Sequence, residues 1–463
     1  MTAVPSPARS RYVVPAAGLL ALAVGVLLYL YVPRAYFHVM AMMIRVPAPR
    51  AFTDWEWIPS AVRCWSEGVN VYLGNPCFPL EENQGYNYSP LWLRLSFLRY
   101  AEQWTNAASL AVCALFFLSL ASLPAPRVRR DQVFVLLAAL SCATLLGMER
   151  ANADLLIFLM IIAALNLLGR SVAWRWLGYA LVTLCGLLKF YPFVAMMVAL
   201  RERRSVFLAV AAVSVAALAA LVLAWHAELR VMLSNLPVPS YFKLQFGAAD
   251  LAAGLGVTVG KFLEKGLHRD LDAARAMGGL VTRIALPVLA LAAVAGAAAL
   301  ARTLRLPAAQ ARLSRRETDF LVVGAALICG CFFAGQSVIY RGIFLLLALP
   351  GLAALSHDLP TRGGRRLLGG TCALIVFVLW TPFLDACLLA VGLTVKIEYQ
   401  GNPYDWFPNM PAGYLLWLAS ELAWWWIVAV LLAVLGSFVL ATQMGAWLGR
   451  MVRMPAAPAH GPG

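Results

Sequence analysis

The chain has 463 residues, of which 62% are hydrophobic and only 13% charged, and its mean hydropathy is +0.77. A soluble domain of this length needs far more polar surface, so the composition excludes a soluble enzyme and predicts an integral membrane protein. A net charge of +15 also occurs in nucleic-acid-binding proteins, but here the basic residues form short clusters between apolar runs. That pattern orients membrane helices, so we expect no nucleic-acid partner.

Apolar segments recur along the whole chain, as expected where each bilayer-crossing helix needs roughly 20 apolar residues. We predict an all-α polytopic membrane protein with about 12 transmembrane helices, several of them short. We predict a single transmembrane domain over 12–449, with short disordered cytoplasmic tails at 1–11 and 450–463. Its outer loops are expected at about 33–103, 225–279 and 394–413. The predicted spans are 12–32, 104–123, 133–148, 155–169, 176–188, 192–200, 206–224, 280–300, 320–334, 343–355, 367–393 and 414–442.

The segment 176–200 decides the topology, because it is either one tilted helix or two short ones broken at the sequence LKFYP, residues 188–192. Pro192 lacks a backbone donor and biases the preceding residue away from helix, which favours a break. With the break, 20 of the 37 Lys and Arg residues fall on the inner side, in short basic loops. The positive-inside tendency therefore predicts a multi-pass protein of the cell membrane with both termini inside.

The polar stretch 51–93 follows the first span and carries Asp54 between aromatic residues. Apolar residues at helical spacing predict a helix over 54–68 that lies in the membrane interface. In the second outer loop, Leu251 to Leu263 at four-residue spacing indicate either another interfacial helix or a packed one. Cys64 and Cys77 share the first outer loop, and an oxidising compartment permits a bridge if their geometry allows it.

In the broken topology, four segments bring charged residues to the same, non-cytoplasmic side. A charged side chain at the bilayer centre costs about 2.5 to 3.5 kcal/mol, so such residues are usually retained for a role. We therefore expect one shared site. The four segments are Asp54, the turn of residues 149–154, Lys189 with Tyr191, and Tyr340 with Arg341.

Several of these elements resemble a known family, the polyprenol-phosphate-sugar-dependent membrane glycosyltransferases of family 87 within the C superfamily. The similar elements are Asp54 in the first outer loop, residues 68–72 as G-x-x-x-Y, Tyr88 to Pro90, Asn152 in ERANADLLIFL, and LKFYP at 188–192. Many members of the family carry a histidine in the outer turn before the span that begins near Ile343. This chain has QSVIYR there, so the acceptor and any acid–histidine pairing stay open.

The resemblance implies inverting transfer of a hexosyl group, mannosyl being commonest in the family, or of a pentosyl group. The donor would be a polyprenyl-phosphate sugar and the acceptor a lipid-linked or envelope glycan, with membrane lipids as the other partners and the active site facing the periplasm or exterior. Asp54 would be the general base, and no cofactor is implied. The donor phosphate would be held by Arg341, Lys189 and Arg150, and the further substrate contacts would be Tyr88, Asn152, Tyr191, Tyr340 and Glu149.

Other interpretations of these residues stay open from the sequence alone. Asp54 also fits a helix cap, Glu149 with Arg150 a local ion pair, and Lys189 a side chain that reaches the headgroups. Asp385 and Glu421 are alternative acids. We expect no bound metal, since no two of the five histidines have metal-ligand spacing, although Asp54 with Glu56 is an alternative cation pair. The competing function is a secondary transporter or flippase, although no repeat at half-length is visible.

Overall fold

The computed structural model describes residues 7–44, 51–78, 85–234, 244–394, 410–443 and 445. Two short strands, β1 (Gln245–Phe246) and β2 (Ser337–Val338), accompany the helices. The α-helices are α1 Pro7–Tyr31, α2 Pro33–Ile44, α3 Thr53–Ser66, α4 Thr105–Ser119, α5 Arg129–Ala139, α6 Cys142–Glu149, α7 Ala153–Leu168, α8 Val172–Lys189, α9 Arg204–Ala224, α10 His226–Ser234, α11 Ala249–Lys261, α12 Leu271–Thr303, α13 Leu306–Gln310, α14 Arg315–Ala334, α15 Leu345–Asp358, α16 Arg362–Ala390 and α17 Pro411–Ala441.

Nine helices of the described residues are long and apolar enough to cross a membrane, and two shorter apolar helices, Ala153–Leu168 and Tyr191–Arg201, accompany them. These helices confirm the prediction of an all-α polytopic membrane protein. The pairing of β1 with β2 is a small departure from it. The remaining helical segments of the described residues are 3₁₀ or π helices: Trp92–Arg94, Ser96–Tyr100, Glu102–Trp104, Leu120–Ser122, Tyr191–Arg201, Phe262–Gly266 and Ile339–Phe344.

Most helices begin before the apolar run that revealed them, and polar caps mark the early starts of α12, α14 and α16. Helix α14 starts at Arg315, five residues ahead of the predicted span, and Ser314 with Glu317 forms a capping box there. Helix α1 starts at Pro7, so the prediction of a disordered tail is wrong for residues 7–11. Residues 1–6, the third outer loop at 395–409 and the tail at 450–463 lie outside the described residues.

The chain breaks where the LKFYP sequence predicts. Helix α8 ends at Lys189, Phe190 takes a positive φ of 61°, and a 3₁₀ helix runs back over Tyr191–Arg201. The predicted second helix of this pair is therefore 3₁₀ rather than α. Its 11 residues span roughly 22 Å at about 2 Å per residue, longer than an α-helix of equal length. Helix α8 packs against this 3₁₀ helix and both form a helical hairpin beside α14.

The first outer loop is ordered over its described residues and holds the predicted helix as α3. Cys64 near the end of α3 is disulfide-bonded to Cys77, which resolves the alternative that the sequence leaves open. Arg63 also donates from Nη2 to the carbonyl of Cys77 over 3.0 Å. Helix α2, in the same loop, was not predicted. The described part of the loop thus packs against the bundle, with α2 lying against α6 and α16.

The second outer segment is packed, as one of its two interpretations predicts. Helix α11 lies against α12 with Gly256 and Gly278 facing each other, so closely that a methyl group on Gly256 would meet the carbonyl oxygen of Gly278. Ahead of α11, β1 pairs antiparallel with β2, with Gln245 opposite Val338. This pairing holds the turn before Arg341 against the second outer segment.

Candidate active site

Asp54 lies in the first turn of α3, and the backbone of the loop after α6 holds that turn. The amide of Phe52 donates to the carbonyl of Glu149 over 2.7 Å, and the amide of Asp54 donates to the carbonyl of Arg150 over 3.1 Å. The first N–H groups of a helix have no partner inside it, so carbonyls from another segment can satisfy them. Two segments that lie about a hundred residues apart are therefore joined at this position.

The Asp54 carboxylate uses both oxygens in this contact. Oδ1 pairs with Nη1 of Arg150 over 3.2 Å, and Oδ2 accepts a hydrogen bond from the Asn152 side-chain amide over 2.6 Å. The Asp54 side chain keeps 19% of its surface exposed. It is therefore oriented by two donors and still open to a ligand.

Asn152 connects the two halves of the site. It caps α7 by accepting the amide N–H of Asp154 at Oδ1 over 3.0 Å, and the same oxygen accepts from Nζ of Lys189 over 3.1 Å. Its side-chain nitrogen faces Asp54. Because an ammonium group and a carboxylate bind its opposite ends, the side-chain amide has only one suitable orientation.

Asp154 is the carboxylate that sequence reasoning missed, although it stands in the predicted turn. It is fully buried; Oδ1 accepts from Nζ of Lys189 over 2.5 Å and from the hydroxyl of Tyr191 over 2.7 Å. Nε of Arg341 lies 3.8 Å from its other oxygen. The available signal was an acid two residues after an N-capping Asn, at the start of an apolar helix, where a buried charge needs partners.

Aromatic rings surround the two cations beside Asp154. Nζ of Lys189 lies 5.2 Å from the ring centre of Tyr88, and the Arg341 guanidinium lies 4.9 Å from the ring centre of Tyr191. The segment that carries Tyr88 is held in place by Trp92, whose indole N–H donates to the carbonyl of Leu188 over 3.2 Å. Cation–π attraction is stronger for a cation held away from bulk water than for an exposed one.

Glu149 and Tyr340 complete the neighbourhood. Burial opposes the charge of Arg150, but the carboxylates of Asp54 and Glu149 outweigh it and raise the pKa of that guanidinium. Burial first, and then the Glu149 charge, raise the pKa of the Tyr36 phenol of α2. Tyr340 interacts electrostatically with Asp54, Arg150 and Asp154. All nine predicted site residues therefore lie in one cluster or directly beside it.

The cluster is polarised. Arg150 pairs with the Asp54 carboxylate, and the charge of Glu149 lies nearby, whereas Lys189 and Arg341 share the single carboxylate of Asp154. Positive charge is therefore in surplus around Asp154. Arg150 pairs with Asp54, so it orients that carboxylate, and its contact with the donor phosphate stays a prediction. An anion that enters the cluster meets Lys189 and Arg341.

The structure distinguishes between several of the alternative interpretations of single residues. Lys189 does not reach out to headgroups, since its side chain is only 11% exposed and pairs with Asp154. Asp385 and Glu421 line a different cavity, between α16 and α17. His357 binds Asp131 over 2.9 Å near the far end of α15. Within the described residues, no group of three or more His, Cys, Asp or Glu side chains is placed to hold a metal ion.

No family model, no curated protein and no solved structure matches this chain.

Proposed function

We propose that the protein is a glycosyltransferase that uses a polyprenyl-phosphate sugar as donor. The acceptor is a lipid-linked or envelope glycan, and the sugar is a hexosyl group, with mannosyl as the first choice, or a pentosyl group. The observation that carries the proposal is the polarised cluster, in which a partly open carboxylate lies next to a pair of cations. An inverting transfer needs both groups, one for the attacking hydroxyl and one for the leaving phosphate.

Asp54 acts as the general base in this proposal. The acceptor hydroxyl gives its proton to Asp54 as its oxygen forms a bond to the anomeric carbon of the sugar. A positioned base contributes typically 10² to 10⁴-fold to a rate. Arg150 and Asn152 fix the carboxylate with one hydrogen bond to each oxygen, which limits its motion toward other partners.

Lys189 and Arg341 receive the leaving group. The bond between the anomeric carbon and the phosphate oxygen breaks, and the phosphate departs with the electron pair as its negative charge increases. Arg341 offers a planar set of donors and Lys189 a compact charge. Asp154 holds these two cations together against their mutual repulsion, and preorganised charges in a partly dry site stabilise such a transition state.

The finer topology is part of the proposal. The nine long helices, with α7, α8 and the 3₁₀ helix Tyr191–Arg201, add up to twelve crossings of the type that the C superfamily uses. The short basic segments before α5, α9, α14 and α16 then face the cytoplasm, as the positive-inside tendency requires. The site faces the periplasm or exterior, where polyprenyl tails run along the apolar helices.

Substitution of the base tests the proposal. Asp54→Asn preserves the shape of the side chain and removes the proton acceptor, so we expect sugar transfer to fall by at least about 10². The measurement is transfer from a labelled polyprenyl-phosphate sugar in membranes, together with mass spectrometry of the glycolipids that a deletion strain lacks.

Asp358→Asn is the matched control, since Asp358 pairs with Arg127 at the end of α15 that is remote from Arg341. Its transfer should equal that of the wild type. Full transfer by Asp54→Asn would remove Asp54 as the base. Uptake of a soluble solute by reconstituted wild-type protein, without any transfer, would instead favour a transporter.

A further inference from the structure

A second cationic site lies at the opposite end of the α8 hairpin. A cavity of about 410 Å³ is bordered there by Arg175, Arg201 and Arg203, with Trp176 and Tyr179 on its walls. Arg175 precedes Lys189 by 14 residues on α8, or roughly 21 Å along the helix axis. The cavity is therefore separate from the cluster around Asp54.

The ion pairs around this cavity leave a surplus of positive charge. Arg175 pairs with Glu202 over 2.9 Å, Arg201 pairs with Asp319, and Arg315 lies about equally far from both carboxylates, 3.9 Å from Glu202 and 4.0 Å from Asp319. The hydroxyl of Tyr179 also donates to Glu202. Three arginines therefore share two carboxylates, and Arg203 on the cavity wall adds a fourth positive charge.

One guanidinium donor, Nε of Arg175, is buried without a hydrogen-bond acceptor within the described residues, whereas Arg201 is bonded to Tyr179 and paired with Asp319. Buried donors are nearly always satisfied in proteins, so Arg175 indicates a place for an acceptor that the described residues do not supply. A phosphate offers several oxygens to arginine forks.

The surroundings of the cavity face lipid. Trp174, Trp176 and Leu177 on α8 are large apolar side chains with exposed surfaces, and Leu208 is exposed on α9. Tryptophan is enriched where a membrane helix meets the headgroup layer. A ligand in this cavity thus has its anionic part beside the arginines and its apolar part along α8 and α9.

We propose that this cavity binds the phosphate headgroup of an anionic phospholipid, in the leaflet opposite to the Asp54 cluster. Basic pockets between membrane helices recognise such headgroups. The bound lipid joins the start of α8, the end of the 3₁₀ helix and the start of α14. Lys189 lies on α8, Tyr191 lies on the 3₁₀ helix, and the turn before Arg341 follows α14. The bound lipid therefore stabilises the elements that position the site. The proposal does not depend on glycosyl transfer.

Lipid binding to the purified full chain in detergent tests the proposal. We expect phosphatidylglycerol to raise the thermal unfolding midpoint and to remain bound as an adduct in native mass spectrometry. Phosphatidylethanolamine should bind at least about tenfold more weakly, which corresponds to the loss of one charged contact. Equal binding of the two lipids would overturn the proposal. Glycerophosphate offers a soluble phosphate without acyl chains. Stabilisation by glycerophosphate as strong as by phosphatidylglycerol would also overturn the proposal, in favour of a free phosphate ligand.

Substitution localises the effect. Arg203→Gln changes an exposed side chain on the cavity wall and should fold, and we expect about tenfold weaker phosphatidylglycerol binding. Arg366→Gln, at the exposed start of α16, removes the same charge outside the cavity and should bind as the wild type does. Equal loss in both variants would show a general charge effect, and no loss in Arg203→Gln would place the lipid elsewhere.

Discussion

At the scale of single residues, the arrangement depends on Asn152 and Asp154, two neighbours in one turn. Asn152 separates the Asp54 carboxylate from the Lys189 ammonium group by one amide, and Asp154 pairs with both Lys189 and Arg341. Without the amide, a direct Asp54–Lys189 pair would leave less of the carboxylate free for a ligand. The spacing N-x-D at the start of α7 therefore keeps base and cations adjacent but distinct.

Removal of the buried carboxylate should destabilise the fold. Asp154→Asn leaves Lys189 and Arg341 facing each other without a counter-charge, and loss of one partner of a buried pair costs about 3 to 5 kcal/mol. The free energy of unfolding in detergent measures this. Asp272→Asn, on a side chain that is 93% exposed, is the matched control and should change stability little.

A second substitution separates charge from packing. Lys189→Met in the Asp154→Asn background removes one of the two cations, so part of the lost stability should return. If the double variant is as unstable as the sum of the two single variants, the Asp154–Lys189 pair is not the source of the effect.

At the scale of elements, the hairpin formed by α8 and the 3₁₀ helix Tyr191–Arg201 places Lys189 in the site. Phe190 turns the chain with a positive φ, and Phe193 then folds its ring over Gly186. A Cβ at Gly186 would lie 2.6 Å from that ring, closer than atoms can approach. Glycine at this position is what lets the two arms of the hairpin touch beside Lys189.

Gly186→Ala should therefore open the hairpin. Overpacking of a tight contact typically costs about 1 to 3 kcal/mol, and here the ring or the backbone must move. We expect a lower unfolding midpoint and, under the proposed function, reduced transfer, because Lys189 and Tyr191 flank the shifted contact. Gly296→Ala in α12 is the control, since nothing lies within 4 Å of its added methyl group. Equal stability of the two variants would contradict the argument.

At the scale of the whole molecule, the proposed function requires the two charged sites to face opposite sides of the membrane. The cluster around Asp54 lies at one end of α8 and the arginine-lined cavity at the other. An arginine-rich end facing the cytoplasm agrees with the positive-inside tendency. The end that carries the Asp54 cluster then faces a compartment in which the Cys64–Cys77 disulfide is stable.

Labelling of single cysteines in intact cells checks this orientation. A maleimide that cannot cross the bilayer should label Glu67→Cys, at the exposed end of α3, but not Arg203→Cys. Both should react after permeabilisation, and the wild type, whose free cysteines within the described residues are mostly buried, gives the background. Labelling of Arg203→Cys alone in intact cells would invert the topology and place the proposed active site in the cytoplasm.

The amino-acid sequence by itself determined the membrane class, the break before Tyr191 and the segments that hold the ionic residues. These features depend on local composition, on proline chemistry and on the distribution of basic clusters, all of which are readable along the chain. Only the tertiary structure decided that Asp154 is the partner of Lys189 and Arg341, that Arg150 binds Asp54, and that three arginines line a cavity at the far end. Those pairings join residues that are distant in sequence, and helix packing rather than any local pattern sets which of them meet.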